Sequence, residues 1–213
     1  MITRTCWFAV VFAAWPIIAT SREPKPIVTY TSDCSCERDH ADTRWEAKID
    51  ATEPPTDPSQ ITQITPSEMY AWNGPGISIS RHANRIPAEI RWYAMTGRVD
   101  SIRAEEDGDL HIVLVDADGA KPGKVVVEIP LEARWCQMRT TVFSWTDTTF
   151  PFDTRRGTDL NIIQPQVVRV VGRCFYDMVH AGRDTTTNRR PYDPSLAVWE
   201  IHPVMQLTVI KPK

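Results

Sequence analysis

Five β-rich segments between residues 91 and 210, two of them carrying a glycine in mid-segment, constrain this chain most. Residues 91–103 (RWYAMTGRVDSIR) contain Gly97 and end in the turn Glu105-Glu106-Asp107-Gly108. Residues 110–116 (LHIVLVD) follow and close on Ala117-Asp118-Gly119, a hairpin signal. Residues 124–129 (KVVVEI) form a third strand stopped by Pro130, and residues 166–176 (QVVRVVGRCFY) a fourth, with Gly172 inside it. Residues 196–210 (LAVWEIHPVMQLTVI) form a fifth, bent or broken at Pro203 because proline donates nothing to a ladder. Between the third and fourth strands, residues 131–139 (LEARWCQMR) are good helix formers with little β-branching.

The order β-β-β-α-β-β, with glycines where a small barrel must coil sharply, predicts a mainly β chain with a five-stranded OB-type barrel. A β-sandwich built from the same strands is the alternative. The barrel domain is expected over residues 89–213. Residues 22–88 are expected to be an irregular extension with one short helix, and within it residues 22–60, rich in Pro, Thr, Asp and Ser, show no sustained period of 2 or 3.6. That helix starts at Thr65-Pro66-Ser67-Glu68, a capping residue followed by proline and an acid, and Met69, Tyr70 and Trp72 dock it on the barrel.

The first 21 residues read as a secretory signal peptide. One arginine and no acid precede an apolar run from Cys6 to Ala19, which is too short to span a bilayer as a helix. The expected location is therefore secreted or periplasmic, with no membrane span in the mature chain. Removal of Cys6 leaves Cys34, Cys36, Cys136 and Cys174, and an even count in an exported chain favours disulfides. The pairing expected is Cys136 with Cys174, since both fall in the barrel segments, and the alternative is a free buried thiol. Cys34, Cys36 and His40 form an incomplete zinc-ligand set with unusual spacing, for which disulfide or disorder is the simpler reading. A net charge of −3 argues against a nucleic-acid partner held through phosphates.

Histidines and carboxylates interrupt the apolar strands at four places: Asp109 with His111, Glu128, Asp177 with His180, and Glu200 with His202. Strand residues two apart share a face, so Asp109 pairs with His111 and Glu200 with His202. Imidazole beside a carboxylate is a common general base and metal ligand, which makes His111, Glu128, His180, Glu200 and His202 the candidate catalytic residues. The bland reading is that each is a half-buried polar group satisfied by its neighbours. Asp177, Arg183, Arg189, Arg190 and Tyr192, on the loop before the fifth strand, are the candidate ligand-binding residues, where arginine beside an aromatic can hold a phosphate or stack on a base. Asp177, His180 and Asn188 loosely resemble the D-x-x-H…N arrangement of non-specific endonucleases, although a strand follows here instead of a helix. Trp135, Trp145 and Trp199 are candidates for a stacking platform or, more simply, for core. No G-x-S-x-G elbow, P-loop or H-E-x-x-H is present, which counts against the common hydrolase, NTPase and zinc-protease classes.

The blocks GDLHIVLVDADG, VVVEIP, VVGRCFYDMVH and WEIHPV, in that order, resemble a group of largely uncharacterised bacterial exported proteins, over roughly residues 89–210. The resemblance implies that His111, Glu128, Asp177, His180, Glu200 and His202 belong to a shared pattern, and it brings no activity, cofactor or metal with it. Three expectations follow. The first is an exported OB-type module that binds a small ligand or protein partner through one barrel face and the loop around 183–192. The second is a hydrolase, metal-dependent and nuclease-like in its residues, and the third is a structural envelope component.

Overall fold

The computed structural model describes residues 43–105, 107–119, 121–148 and 157–211, together with two backbone pairs, Val28–Thr29 (β1) and Asp153–Thr154 (β6), which pair antiparallel. Its elements in chain order are α1 (Trp45–Lys48), β2 (Ile61–Ile64), α2 (Pro66–Tyr70), β3 (Trp92–Ala104), β4 (Leu110–Val115), β5 (Val125–Ile129), α3 (Cys136–Phe143), β7 (Thr158–Leu160), β8 (Val167–Tyr176), α4 (Met178–Ala181) and β9 (Trp199–Val209).

Strands β3, β4, β5, β9 and β8 are neighbours in that order, and β8 returns to β3, so the sheet closes on itself. All pairings around the ring are antiparallel except β5 with β9, where Val127 faces Ile201. This is the OB-type barrel: a long first strand shared between two neighbours, a helix after the third strand, and a last strand inserted parallel to the third. β3 pairs with β8 over Trp92–Arg98 and with β4 over Arg98–Ala104, so it must coil where one partnership hands over to the other. Gly97 sits at that handover, where a Cβ would lie 2.8 Å from the Val115 carbonyl oxygen.

Alternation sorts the strands by face. Leu110, Ile112 and Leu114 of β4, Val125, Val127 and Ile129 of β5, and Ile201 of β9 enter the apolar core. The residues between them, among them His111, Glu128, Glu200 and His202, therefore point to the outside of the barrel wall. Cys174 also lies in the core, as a free buried thiol 3.3 Å from the Ala88 carbonyl, and burial pushes its pKa up to about 12. The expected Cys136–Cys174 disulfide is therefore absent: Cys174 projects into the barrel while Cys136 opens α3.

The extension follows the expected helix closely. Thr65 accepts from the Glu68 amide, Glu68 accepts from the Thr65 amide at 2.7 Å, and Asp116 at the end of β4 holds both the amide and the hydroxyl of Ser67. Met69 is fully buried, and Tyr70 and Trp72 pack against the core. Beyond the expected elements stand four short strands, β1, β2, β6 and β7, and the short helices α1 and α4; β2 adds to β3 in parallel, and β7 adds to it antiparallel. The helix after β5 begins five residues later than its composition suggested, after a 3-10 turn at Ala133–Trp135. β9 runs unbroken through Pro203, and the irregularity falls on its partner, where the register shifts on either side of Gly172. Cys34, Cys36, His40 and the expected signal peptide lie outside the described residues.

Candidate functional site: a buried histidine and carboxylate row

β4, β5 and β9 bring His111, Glu128 and His202 side by side on the outer wall. His111 faces Glu128 directly across the β4–β5 ladder, and the parallel pairing of Val127 with Ile201 sets Glu128 next to His202. Glu128 bridges the two rings. Its Oε1 lies 3.0 Å from His111 Nδ1 and its Oε2 2.8 Å from His202 Nδ1. Glu200 Oε1 approaches the same His202 nitrogen at 3.2 Å, and its other oxygen faces Arg190 at 3.3 Å. Asp109, just before β4, accepts from the Leu131 amide through Oδ1 and turns Oδ2 toward His202 Nε2 at 3.4 Å.

Apart from His111, which is half-buried at its edge, the row is closed off from solvent. His202 and Glu200 are fully buried, Asp109 is 1% exposed and Glu128 6%. One lid is α1 with the turn before it. The Arg44 guanidinium lies 4.5 Å above the Phe175 ring, and Phe175 in turn packs 5.5 Å from the His202 ring. Arg85 clamps the lid down, donating at 2.6 Å to the carbonyls of both Ala47 and His202, and pairing with Asp50 at 3.0 Å. From α1, Lys48 reaches into the row, 3.6 Å from Asp107.

These contacts set the charges. Burial disfavours a charged His202, but the carboxylates of Glu128, Asp109 and Glu200 outweigh it and hold its pKa well above the ordinary imidazole value. Burial likewise opposes a charged Glu128, yet His202 and His111 hold its carboxyl well below the usual range. Burial and the negative charge of Glu128 push Glu200 upward. Desolvation works against the Lys48 ammonium and is overcome by Glu128, Asp107, Asp109 and Asp177, so its pKa rises.

Asp177 and His180 form a second pair at the edge. Asp177 caps α4 by accepting from the Val179 amide and meets His180 Nδ1 at 2.5 Å. Burial raises the Asp177 pKa, but the His180 bond and the charges of Arg190 and Lys48 bring it to about 2, while the Asp177 bond raises that of His180.

A pH dependence follows. Folded His202 and His180 keep protons that the unfolded imidazoles release near pH 6.5, so stability is expected to fall as pH rises above that value. Folded Glu128 and Asp177 resist protons that unfolded carboxyls take up near pH 4, so stability is expected to fall again below that value. Thermal melts from pH 3 to pH 9 check this, and a melting temperature that is flat from pH 6 to 9 would contradict the imidazolium assignment.

The remaining candidates do not converge. Arg190 is drawn inward to Glu200 and the Ala197 carbonyl, Arg189 stacks on Tyr70 with its guanidinium carbon 3.3 Å from the ring centroid, and Arg183 and Tyr192 face solvent. Asn188 is buried and committed to structure: its amide oxygen accepts from Val198 and Trp199, and its nitrogen donates to Met69 and Tyr70. The nuclease-like pattern thus lacks a free asparagine. Trp135, Trp145 and Trp199 are core residues, with the Trp135 and Trp199 indoles donating to the carbonyls of Val204 and Asn73. An open cleft of about 640 Å³ lies elsewhere, between β2, α2 and the start of β3, lined in part by Gln63, Glu68, Trp72, Arg91 and Tyr93.

Sequence reasoning missed Lys48 and Arg85. Lys48 lies in the 22–60 stretch without period, where only the helix formers Glu46-Ala47-Lys48 hinted at order, and Arg85 lies in the later part of the extension, between the expected helix and the first strand. Among the described residues no helix is long and apolar enough to cross a membrane. No protein-family model matches the chain, and no significant match is found among curated proteins or solved structures.

Proposed function

We propose that this chain is an exported OB-type binding module that takes a small ligand at the outer wall of β4, β5 and β9. The observation that carries the reading is the row His111–Glu128–His202, polar groups set side by side on three adjacent strands whose other faces are apolar. A row of this kind costs desolvation energy that an apolar wall avoids, so its presence favours a role in binding. Its burial beneath α1 limits the ligand to something small, or to one that displaces the lid. Of the loop arginines, Arg189 packs on Tyr70 and Arg190 turns inward to Glu200 while Arg183 is exposed, which supports reading the wall rather than the loop as the ligand site. Export, and kinship with the bacterial exported proteins sharing the same blocks, belong to this proposal.

The test is a thermal-shift series on the purified chain with inorganic phosphate, a short oligosaccharide, calcium, manganese and zinc. At about 100 times its dissociation constant a ligand adds about 2.7 kcal/mol, a rise of several degrees for a protein of this size. At least one probe is expected to give such a rise in wild type and none in Glu128→Gln. A series without any shift, or a shift that survives the substitution, would remove the wall as the binding site.

A second reading, a metal-dependent hydrolase, draws on one further observation. His111 is the most exposed member of the row, at 12%, and is oriented by Glu128, as a general base at the edge of a site would be. It predicts hydrolysis of bis(p-nitrophenyl) phosphate that disappears in a folded His111→Ala variant. Absence of turnover in wild type with metal supplied would leave the module reading alone.

A further inference from the structure

We propose that Asp109 and His202 are ligands for a divalent transition metal ion of the zinc type, with Glu128 behind the imidazole as its orienting carboxylate. This deepens the module reading, on which it rests, by naming the ligand class. Asp109, Glu128 and His202 each offer one ligand atom, and these atoms lie within 4.8 Å of one another among buried residues. Two buried atoms of these residues are unsatisfied: Asp109 Oδ2 and His202 Nε2 are shielded from solvent and have no hydrogen-bond partner, although they face each other at 3.4 Å.

That separation is informative. A buried, charge-assisted N–H···O contact closes to about 2.7–2.9 Å, and the other side of the same ring does so, with Nδ1 at 2.8 Å from Glu128. The Nε2 side stays open. An ion about 2.1 Å from each atom would subtend an angle of about 110° across the 3.4 Å gap, the tetrahedral value that zinc adopts. The incoming ion would displace the Nε2 proton of the His202 imidazolium, while Glu128 keeps the Nδ1 proton; the Nε2 lone pair then faces the gap, the carboxylate–histidine–metal arrangement that fixes ring and tautomer. Glu128 is itself held by His111, so the ring cannot easily turn. One imidazole with carboxylate oxygen suits zinc or manganese, whereas calcium takes oxygen ligands alone.

The region already draws a cation. Lys48 sits 3.6 Å from Asp107, and its charge acts on Asp109 and Glu128. A tethered ammonium there repels an incoming ion. Removing it is expected to tighten metal binding, an effect that a purely structural histidine cluster would not show.

The experiment strips the purified full-length chain with chelator and returns zinc or cobalt(II), measuring metal per chain and the visible spectrum. Expected are one equivalent of zinc, cobalt d–d bands without the near-ultraviolet charge-transfer band of thiolate ligands, an at least tenfold loss of affinity in Asp109→Asn, and an at least threefold gain in Lys48→Met. Because Asp109→Asn could fail to fold, the Lys48→Met arm, scored beside circular dichroism, decides by itself. Uptake below one tenth of an equivalent by wild type, a thiolate band, or Lys48→Met affinity equal to or weaker than wild type overturns the site. Should phosphate or the oligosaccharide stabilise wild type while zinc is not taken up, the metal proposal falls and the module reading stands.

Discussion

Replacing Glu89 with alanine is expected to destabilise the protein by about 3–5 kcal/mol, the cost of breaking a buried ion pair and stranding its partner. Glu89 and Arg44 are both fully buried at the side chain and meet at 2.5 Å. The same carboxylate accepts the amides of Tyr176 at 2.8 Å and Ile86 at 2.9 Å, so alanine leaves two backbone donors and a guanidinium without their acceptor at once. Glu89→Gln retains one carbonyl oxygen and should cost less. Urea denaturation reads the loss, and hydrogen exchange gives the location: amides of residues 44–49 should exchange faster, because Arg44 ties the turn before α1 to the end of β8. A loss below about 1 kcal/mol would mean that Arg44 finds other partners and that the lid is held mainly by Arg85.

The second large effect is expected at Gly172, where alanine should cost about 3 kcal/mol and lower the melting temperature by roughly 6–12 °C. A Cβ there would lie 2.4 Å from the Pro203 carbonyl oxygen and 2.5 Å from Ile201 Cγ2. The nearer atom belongs to the backbone of β9, so it cannot swing aside as a side chain would. Gly119→Ala is the control. That glycine has φ +67° and its nearest neighbour is Arg98 Nη2 at 3.7 Å, so the change should cost only the about 1–2 kcal/mol of a left-handed backbone. Equal losses at both glycines would show that the close approach of β8 and β9 relaxes freely.

The two mid-strand glycines were readable in the sequence because close backbone approach leaves one signature, the missing side chain. The five barrel strands were readable for a similar reason. Alternation in LHIVLV and the apolar run VVV are local patterns; the register that puts His111 opposite Glu128 is not among them and is seen only in the folded sheet. What placed His202 beside Glu128 was the parallel insertion of β9, a long-range event that no local pattern records. The lid was illegible for another reason. Arg44, Lys48 and Arg85 act through single long side chains that reach inward to distant partners, and such contacts leave no period in the segment that carries them. The disulfide expectation failed at the same level: Cys136 and Cys174 both belong to the barrel domain, yet one opens a helix and the other points into the core.

The placement of β9 has a bearing on how this chain survives before it is complete. β9 bonds to β5 on one side and to β8 on the other, so until it docks both of those strands present open rows of amides and carbonyls. Their sequences, VVVEI and VVRVVGRCFY, are rich in β-branched residues, the composition that invites pairing with a second chain. A chain cut before Trp199, or stalled before its last strand is delivered, should therefore aggregate rather than stay as an open barrel.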